Sequence, residues 1–397
     1  MKRYDSYKDS GVEWIGEIPS HWEMKRLKYV CNIEYGSSLP TNERIEGDIP
    51  VYGSNGIVGY HDIAITDSPC IIVGRKGSYG KINISNVKCF PIDTTYYIDN
   101  SQTKEDIDWL FYMLGTLNLD GFSEDTGVPG LSREYAYFKK VIVPSIDEQT
   151  AIASFLDRKT TAIDQLITDK KRLIELYEEE KTAIINQAVT KGIDPDVKLK
   201  DSGIEWLGEI PGHWEVKRIR YFFNLITEKK ENTLKKIGLE NIESKTGKFI
   251  ESDSDFEGQG ICFIKDDILF GKLRPYLAKI WLADFEGQAV GDFYIFRSKE
   301  HVISQYAKYR LLDSSFIEIT NSSTYGSKMP RVSWDFIANL SIAFPPIKEQ
   351  YSIVLYIETA CSHINAKISK TKKLIALLLE YRTTLISEVV TGKIKVV

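Results

Sequence analysis

Two glycine-rich segments place cations where a phosphate or a base edge could be met. Gly74-Arg75-Lys76-Gly77-Ser78-Tyr79-Gly80-Lys81 reads as a tight turn between strands. Its glycines permit close backbone approach, Arg75 carries the planar fork that matches guanine, Lys76 and Lys81 add charge, and Tyr79 offers an aromatic face. The same residues suit a solvated hairpin tip, and their order is not that of a triphosphate-binding loop. Gly271-Lys272-Leu273-Arg274-Pro275-Tyr276 takes the matching place in the second half, so Lys272, Arg274 and Tyr276 share both readings. Ser54 and Asn55 could read an adenine edge, or serve only an Asn-Gly hairpin in which Asn tolerates positive φ. Arg133, Lys328 and Arg331 sit in loops ahead of long helical stretches, where they reach phosphates or stay solvated.

Catalysis finds no foothold. The chain has no GxGxxG, HExxH or GxSxG pattern and no Asn-Pro-Pro-aromatic tetrad, and its five histidines are far apart. The five cysteines are scattered and never spaced as CxxC, so neither a metal site nor a disulfide framework is expected. With 43% hydrophobic and 27% charged residues over 397 positions, the chain is an ordered protein of two to three domains. No apolar run is long enough to cross a bilayer, and a reducing, cytoplasmic setting is expected. The net charge of −5 gives no general attraction for a polyanion, so contact with phosphates must rest on local patches or on a basic partner.

The elements that position these residues are repeated. Residues 8–29 and 200–221 are identical at 16 of 22 positions without a gap. The duplicated segment holds Trp14, His21 and Trp22, then Trp206, His213 and Trp214. Residues that read different surfaces should differ between copies, so these six are assigned a packing role rather than base stacking or metal binding. A fainter echo follows, where Pro144-x-Ile146-x-Glu148-Gln149 matches Pro345-x-Ile347-x-Glu349-Gln350. Neither 146–191 nor 347–391 contains Gly or Pro. Leu156, Ile163, Leu166, Ile167 and Leu173 share a heptad phase with Ile357, Ile364, Ile368 and Leu374. Each stretch predicts a helix of roughly 65 Å at ~1.5 Å per residue. Ser145-x-x-Glu148 predicts a capping box, and Gly192 with Pro195 a helix end. An apolar stripe of that length needs a partner, and the other copy can supply it antiparallel.

Between motif and helix the two halves share layout but little sequence. Strands are expected at 71–73, 81–84 and 94–98 and again at 268–270, 279–281 and 293–296, with helices at 104–118 and near 301–313. The fold class read from this is α+β: two globular α/β domains related by a pseudo-twofold axis and separated by two long antiparallel coiled-coil helices. The expected boundaries are 1–145, 146–192, 193–345 and 346–397.

These residues resemble the specificity subunit of type I restriction–modification systems. The resemblance rests on the repeated GxEWxGxIPxHWExKR segments at Gly11 and Gly203 and on the two Pro-x-Ile-x-Glu-Gln helix openings. The loops Thr126–Ser132 and Tyr325–Pro330 also carry it, and it covers the chain in the family's order. It implies a non-catalytic scaffold whose two target-recognition domains read an asymmetric bipartite site on double-stranded DNA. Two methyltransferase subunits that modify adenine N6 and motor–nuclease subunits would be its partners. S-adenosylmethionine, ATP and Mg would sit on those partners and none on this chain. An acidic face at Glu175–Lys181 is either a solvated helix surface or a contact for a basic partner. The alternative is a duplicated protein-interaction scaffold that reads no DNA. Under the DNA reading, Arg75→Ala damages recognition of one half-site and Arg274→Ala that of the other, with methyltransferase binding intact. Binding assays on duplexes altered in one half-site check this, and equal loss at both half-sites contradicts the assignment.

Overall fold

The computed structural model describes residues 3–121, 129–229, 234–252 and 258–396. Thr126, Gly127 and Val128 of the expected loop lie outside them. The chain divides into two compact units, Met1–Lys170 with Lys373–Val397, and Lys171–Lys372.

In the first unit the repeat motif forms a hairpin of β1 (Tyr7–Asp9) and β2 (Glu17–Pro19), followed by β3 (Glu23–Arg26). Then come β4 (Glu34–Tyr35), β5 (Ile49–Gly53), β6 (Gly56–His61), β7 (Cys70–Gly74), β8 (Ile82–Ser85), β9 (Phe90–Pro91) and β10 (Thr95–Asp99). The helices α1 (Ile107–Gly115) and α2 (Arg133–Phe138) precede β11 (Lys140–Val143) and the long α3 (Ile146–Lys191). One sheet has the order β4-β10-β7-β8 and a second the order β6-β5-β9, while β11 pairs back onto β3. Every residue of β7 is buried, as a central strand of a covered sheet requires. The Asp106 carboxylate accepts from Trp109 N and caps α1, which brings Trp109, Leu110 and Met113 into the same core as Ile71 and Val73 of β7.

The second unit repeats the plan. It contains β12 (Leu199–Asp201), β13 (Glu209–Pro211), β14 (Glu215–Arg218), β15 (Phe223–Ile226), β16 (Lys236–Ile237), β17 (Ile261–Phe263), β18 (Ile268–Gly271), β19 (Ile280–Leu282), β20 (Gly287–Ala289) and β21 (Phe293–Ser298). After these follow α4 (Ser304–Leu312), α5 (Ser314–Ser322), α6 (Trp334–Asn339), β22 (Ser341–Phe344) and α7 (Ile347–Val390). The main sheet, β15-β21-β18-β19, has the order of its counterpart, and β22 pairs onto β14 as β11 does onto β3.

Each unit also pairs a stretch of α3 with a stretch of α7. In the first, Leu156, Ile163 and Ile167 share a core with Leu385 and Val389, and Arg382 Nη2 donates to Asp164 Oδ2 at 3.1 Å. In the second, Ala188 and Val189 share a core with Ile353, Ile357 and Cys361, and Lys181 Nζ donates to Asn365 Oδ1 at 3.2 Å. Buried positions alternate four and three apart, as 156, 160, 163, 167 on α3 and as 357, 361, 364, 368, 371 on α7. Leu166 and Leu374, expected in the stripe, are each 39% exposed, because Ile167 and the threonines Thr160 and Thr371 keep the alternation instead. Apolar type alone could not choose between adjacent leucine and isoleucine. Leu385→Ala is expected to destabilise the chain by ~2–4 kcal/mol and Leu166→Ala by under ~0.5 kcal/mol, measured by chemical unfolding.

Candidate functional site

The duplicated motif converges on one carboxylate in each unit. In the first, His21 Nε2 lies 2.9 Å and Trp22 Nε1 3.1 Å from Glu148 Oε1, on the first turn of α3. In the second, His213 Nε2 lies 2.7 Å from Glu349 Oε2, and Trp214 Nε1 donates to Glu349 Oε1 at 3.1 Å, on the first turn of α7. The neighbouring glutamine completes the clamp. Gln149 accepts from Asp106 N at 2.9 Å and donates to the Pro144 carbonyl at 3.0 Å, while Gln350 accepts from Ile303 N at 2.9 Å and donates to the Pro345 carbonyl at 3.0 Å. Glu148 also receives the Ser145 hydroxyl at 2.9 Å. The expected capping box is therefore half formed, since Ser145 donates to Glu148 rather than accepting from its N–H.

Helix ends are seated on the same tryptophans. Gly392 follows α7 at φ 75°, and a side chain there would meet Pro19 at 2.4 Å and Trp22 at 2.8 Å, so only glycine allows the approach. Gly192 follows α3 at φ 77° with Trp214 3.6 Å from its Cβ position. Trp22 and Trp214 are buried, Trp206 half-buried and Trp14 half-exposed. The outer pair diverges because α5 brings Phe316 against Trp206, whose ring also carries Arg310 at 5.5 Å, in a buried ion pair with Asp313. Trp14 lines an open cavity of about 540 Å³ with Phe111, Asn118 and Arg382.

A second shared frame holds the loops. Strand register makes Gly74 equivalent to Gly271 and Tyr96 to Tyr294. Tyr96 donates to the Leu131 carbonyl at 3.0 Å, and Tyr294 to that of Val332 at 3.2 Å. Burial pushes the Tyr96 hydroxyl up to about 12 and raises that of Tyr294, so both remain donors at neutral pH. Leu131 N in turn donates to Arg75 O at 2.8 Å, and Val332 N to Lys272 O at 3.1 Å. Ser132 and Ser333 then cap the short helices α2 and α6. This register decides between the two candidate counterparts: Arg75 corresponds to Lys272, and Arg274 lies two residues further on.

On this frame the side chains differ. In the first unit Arg75 lies over the Tyr35 ring at 5.0 Å and Arg133 over the same ring at 4.9 Å, so one ring holds two guanidiniums. Arg133 is the first residue of α2 rather than a loop residue, since Ser132 caps ahead of it. Arg75 also donates to the Asp93 carbonyl at 3.1 Å. Lys76 is exposed beside Gly77, Tyr79 packs against the core, and Lys81 donates to Asn55 Oδ1 at 2.6 Å. Ser54 is buried and donates to the Thr94 carbonyl at 2.6 Å, so it faces the frame and not solvent. Asn55 has no positive φ; Gly56, at 123°, takes that conformation, contrary to the expected hairpin role of Asn55. Gly74 serves the loop itself, because a side chain there would meet Ser78 O at 2.2 Å.

In the second unit Asp292 gathers the cations. Arg331 grips it through Nε at 3.0 Å and Nη2 at 2.8 Å, and Lys272 Nζ stands 3.8 Å away, over the Tyr294 ring at 5.3 Å. Arg274 is exposed in a left-handed conformation (φ 50°, ψ 64°), its N–H bonded to the Pro330 carbonyl at 2.7 Å. Tyr276 and Lys328 are exposed. Tyr35 was missed by sequence reasoning, because a lone tyrosine in a two-residue strand carries no signal until β10 brings it beside Tyr96. Asp292 was missed for the same reason: its partners come from Lys272 and Arg331, which are far apart in the chain.

Glu175 and Glu179 pair with Arg172 at 2.7 and 3.6 Å on the exposed side of α3. Among the described residues no cluster of His, Cys, Asp or Glu is placed to hold a metal, and no helix is long and apolar enough to cross a membrane.

Residues 19–176 match the family described as type I restriction modification DNA specificity domain. The chain is 24% identical to the specificity subunit of the type I restriction enzyme MjaVIII of Methanocaldococcus jannaschii, over 96% of this chain and 94% of that one. To the EcoDI specificity subunit of Escherichia coli it is 22% identical, over 86% and 82%. A solved chain from a study of complex assembly and conformational transition of the type I R-M system has a TM-score of 0.70 at 12% identity, covering 95% of this chain and 99% of that one. A structural likeness at this identity speaks for the fold.

The clamp has a pH signature. Burial alone would raise the Glu148 carboxyl, but hydrogen bonds from His21, Trp22 and Ser145 outweigh it and hold the group below its ordinary 4.5. A depressed folded value contributes stability that is full above 4.5 and is lost as pH falls through the folded value. Glu148→Gln is expected to lower stability at neutral pH by ~1–2 kcal/mol. The gap to the parent chain should close on acidification below that window, as followed by unfolding at a series of pH values.

Proposed function

Because the chain belongs to the specificity subunits of type I restriction–modification systems, we propose that it reads double-stranded DNA by sequence, each unit taking one half of an asymmetric bipartite target. It is a non-catalytic subunit. Two methyltransferase subunits act on adenine N6 at the site it selects, and motor–nuclease subunits cut DNA with ATP. S-adenosylmethionine, ATP and Mg belong to those partners.

The observation that carries this reading is one hydrogen-bonded frame bearing two different sets of side chains. Tyr96 and Tyr294 hold the same carbonyl position, yet the frame presents Arg75, Tyr35 and Arg133 in one unit and Lys272, Asp292 and Arg331 in the other. A scaffold for one protein partner has no need of two unlike surfaces on a copied support. A reader of two unlike base sequences does. Arg75 and Arg274, which is exposed and in a left-handed conformation, are the cations best able to reach a guanine edge, each such contact giving ~1–3 kcal/mol of discrimination. Lys272 and Arg331 are held by Asp292 and serve to shape their loop.

The test is a methylome. The chain is co-expressed with its methyltransferase in a host free of adenine methylation, and N6-methyladenine is mapped by long-read sequencing. The expected result is a single split motif modified on both strands, with Arg75→Ala and Arg274→Ala each relaxing a different half of it. A complex that co-purifies yet leaves no motif refutes DNA reading and supports the protein-interaction scaffold.

A further inference from the structure

The first unit carries a run of cations seated on aromatic rings. Arg26, the residue after which the chain turns at Leu27–Tyr29, lies over Phe138 at 5.2 Å, and Lys28 lies over Tyr29 at 4.7 Å. Lys139 lies over Tyr135 at 4.4 Å. Arg133 reaches Tyr137 at 5.9 Å and Tyr35 at 4.9 Å, and Arg75 covers the other contact to Tyr35. These groups form one surface because β3 pairs with β11, with Arg26 opposite Lys140, and because Leu27 N donates to the Lys139 carbonyl at 2.9 Å. Among the described residues none of the five cations is ion-paired with a carboxylate. The carboxylate on α2, Glu134, turns instead to its cap, accepting from Ser132 Oγ at 3.2 Å. Phe138 and Tyr29, 66% and 70% exposed, are large rings left in solvent.

The second unit keeps the motif's share of this, with Arg218, Arg220 and the exposed Tyr221 in the places of Arg26, Lys28 and Tyr29, but replaces most of the rings and cations of α2. By the register of β14 with β22, Phe138 corresponds to Asn339, Lys139 to Leu340, Tyr137 to Ala338 and Arg133 to Trp334. Arg220, in the place of Lys28, is bonded to Asn339 and to the Ala338 carbonyl. In a chain of net charge −5, five cations placed over rings and away from carboxylates are not explained by internal pairing.

We propose that Arg26, Lys28 and Lys139, continuing the line of Arg133 and Arg75 along α2, form a track for the phosphate backbone of duplex DNA, complete in the first unit only, since Leu340 and Trp334 replace Lys139 and Arg133 in the second. This rests on the DNA reading above and adds to it an asymmetry: one half-site is gripped through its backbone by more charge than the other. Rings beneath the cations hold them outward without neutralising them, which suits a sequence-independent contact.

The experiment uses the chain in complex with its methyltransferase. Affinity is measured against salt concentration for a duplex carrying the methylome-defined target and for one with the first half-site scrambled. The combined variant Arg26→Gln, Lys28→Gln, Lys139→Gln is expected to reduce the salt slope by about 2–3 and to weaken binding to both duplexes about equally, by roughly tenfold or more at low salt. Its methylated motif should stay the same. The charge-conserving Arg26→Lys, Lys28→Arg, Lys139→Arg variant should retain the slope. An unchanged slope in the glutamine variant overturns the track. So does a changed motif, which would make these residues base readers, and so does loss of methyltransferase co-purification, which would assign the surface to an acidic protein face. Failure of the DNA reading itself is separate: the unmodified complex would then not tell the target from the scrambled duplex.

Discussion

A carboxylate on the first turn of a long helix, receiving both an indole and an imidazole nitrogen from a distant motif, is the contact on which each unit depends. Glu148 and Glu349 sit where the helix exposes N–H groups and favours negative charge, so they stabilise the helix start whatever they touch. Trp22 and Trp214 add burial of a large ring to the hydrogen bond. Gly392 and Gly192 bring the other helix's end onto the same indole. One tryptophan in each unit thus orients the start of one helix and the finish of the other, which is why this segment stayed nearly unchanged between copies while the domains around it diverged.

The loops obey a different economy of constraint. A tyrosine hydroxyl, a carbonyl and a capping serine recur at equivalent places and use backbone groups wherever they can. Backbone partners leave side chains free to vary, so the loop can be held in place while its exposed residues change. The first unit presents cations on rings; the second presents cations on a carboxylate. Those are different electrostatic surfaces on one support.

The charge balance follows the same division. Overall acidity arises partly from the exposed helix faces, where Glu175 and Glu179 meet Arg172. In the first unit, cation–ring contacts hold a group of basic side chains in place without neutralising their charge. Composition therefore says little about what this protein can bind, while the placement of five or six cations says a good deal.

The repeat, the length of the two helices and three strands in each half were legible in the sequence, because they depend on local signals: a 22-residue repeat, two stretches without Gly or Pro, and apolar runs between glycine turns. The packing role assigned to Trp22 and Trp214 followed from their invariance between copies. What the sequence left open depended on partners remote in the chain. Leu166 and Ile167 are equally apolar, and only the facing helix decides which is buried. Lys272 and Arg274 were equal candidates for the place of Arg75, and strand register gives it to Lys272. Tyr35 becomes part of a site only through β10, Asp292 only through Lys272 and Arg331, and the row along α2 only through the pairing of β3 with β11. Local periodicity and turn chemistry determine elements; which side chains face one another is decided when strands from distant parts of the chain settle into register.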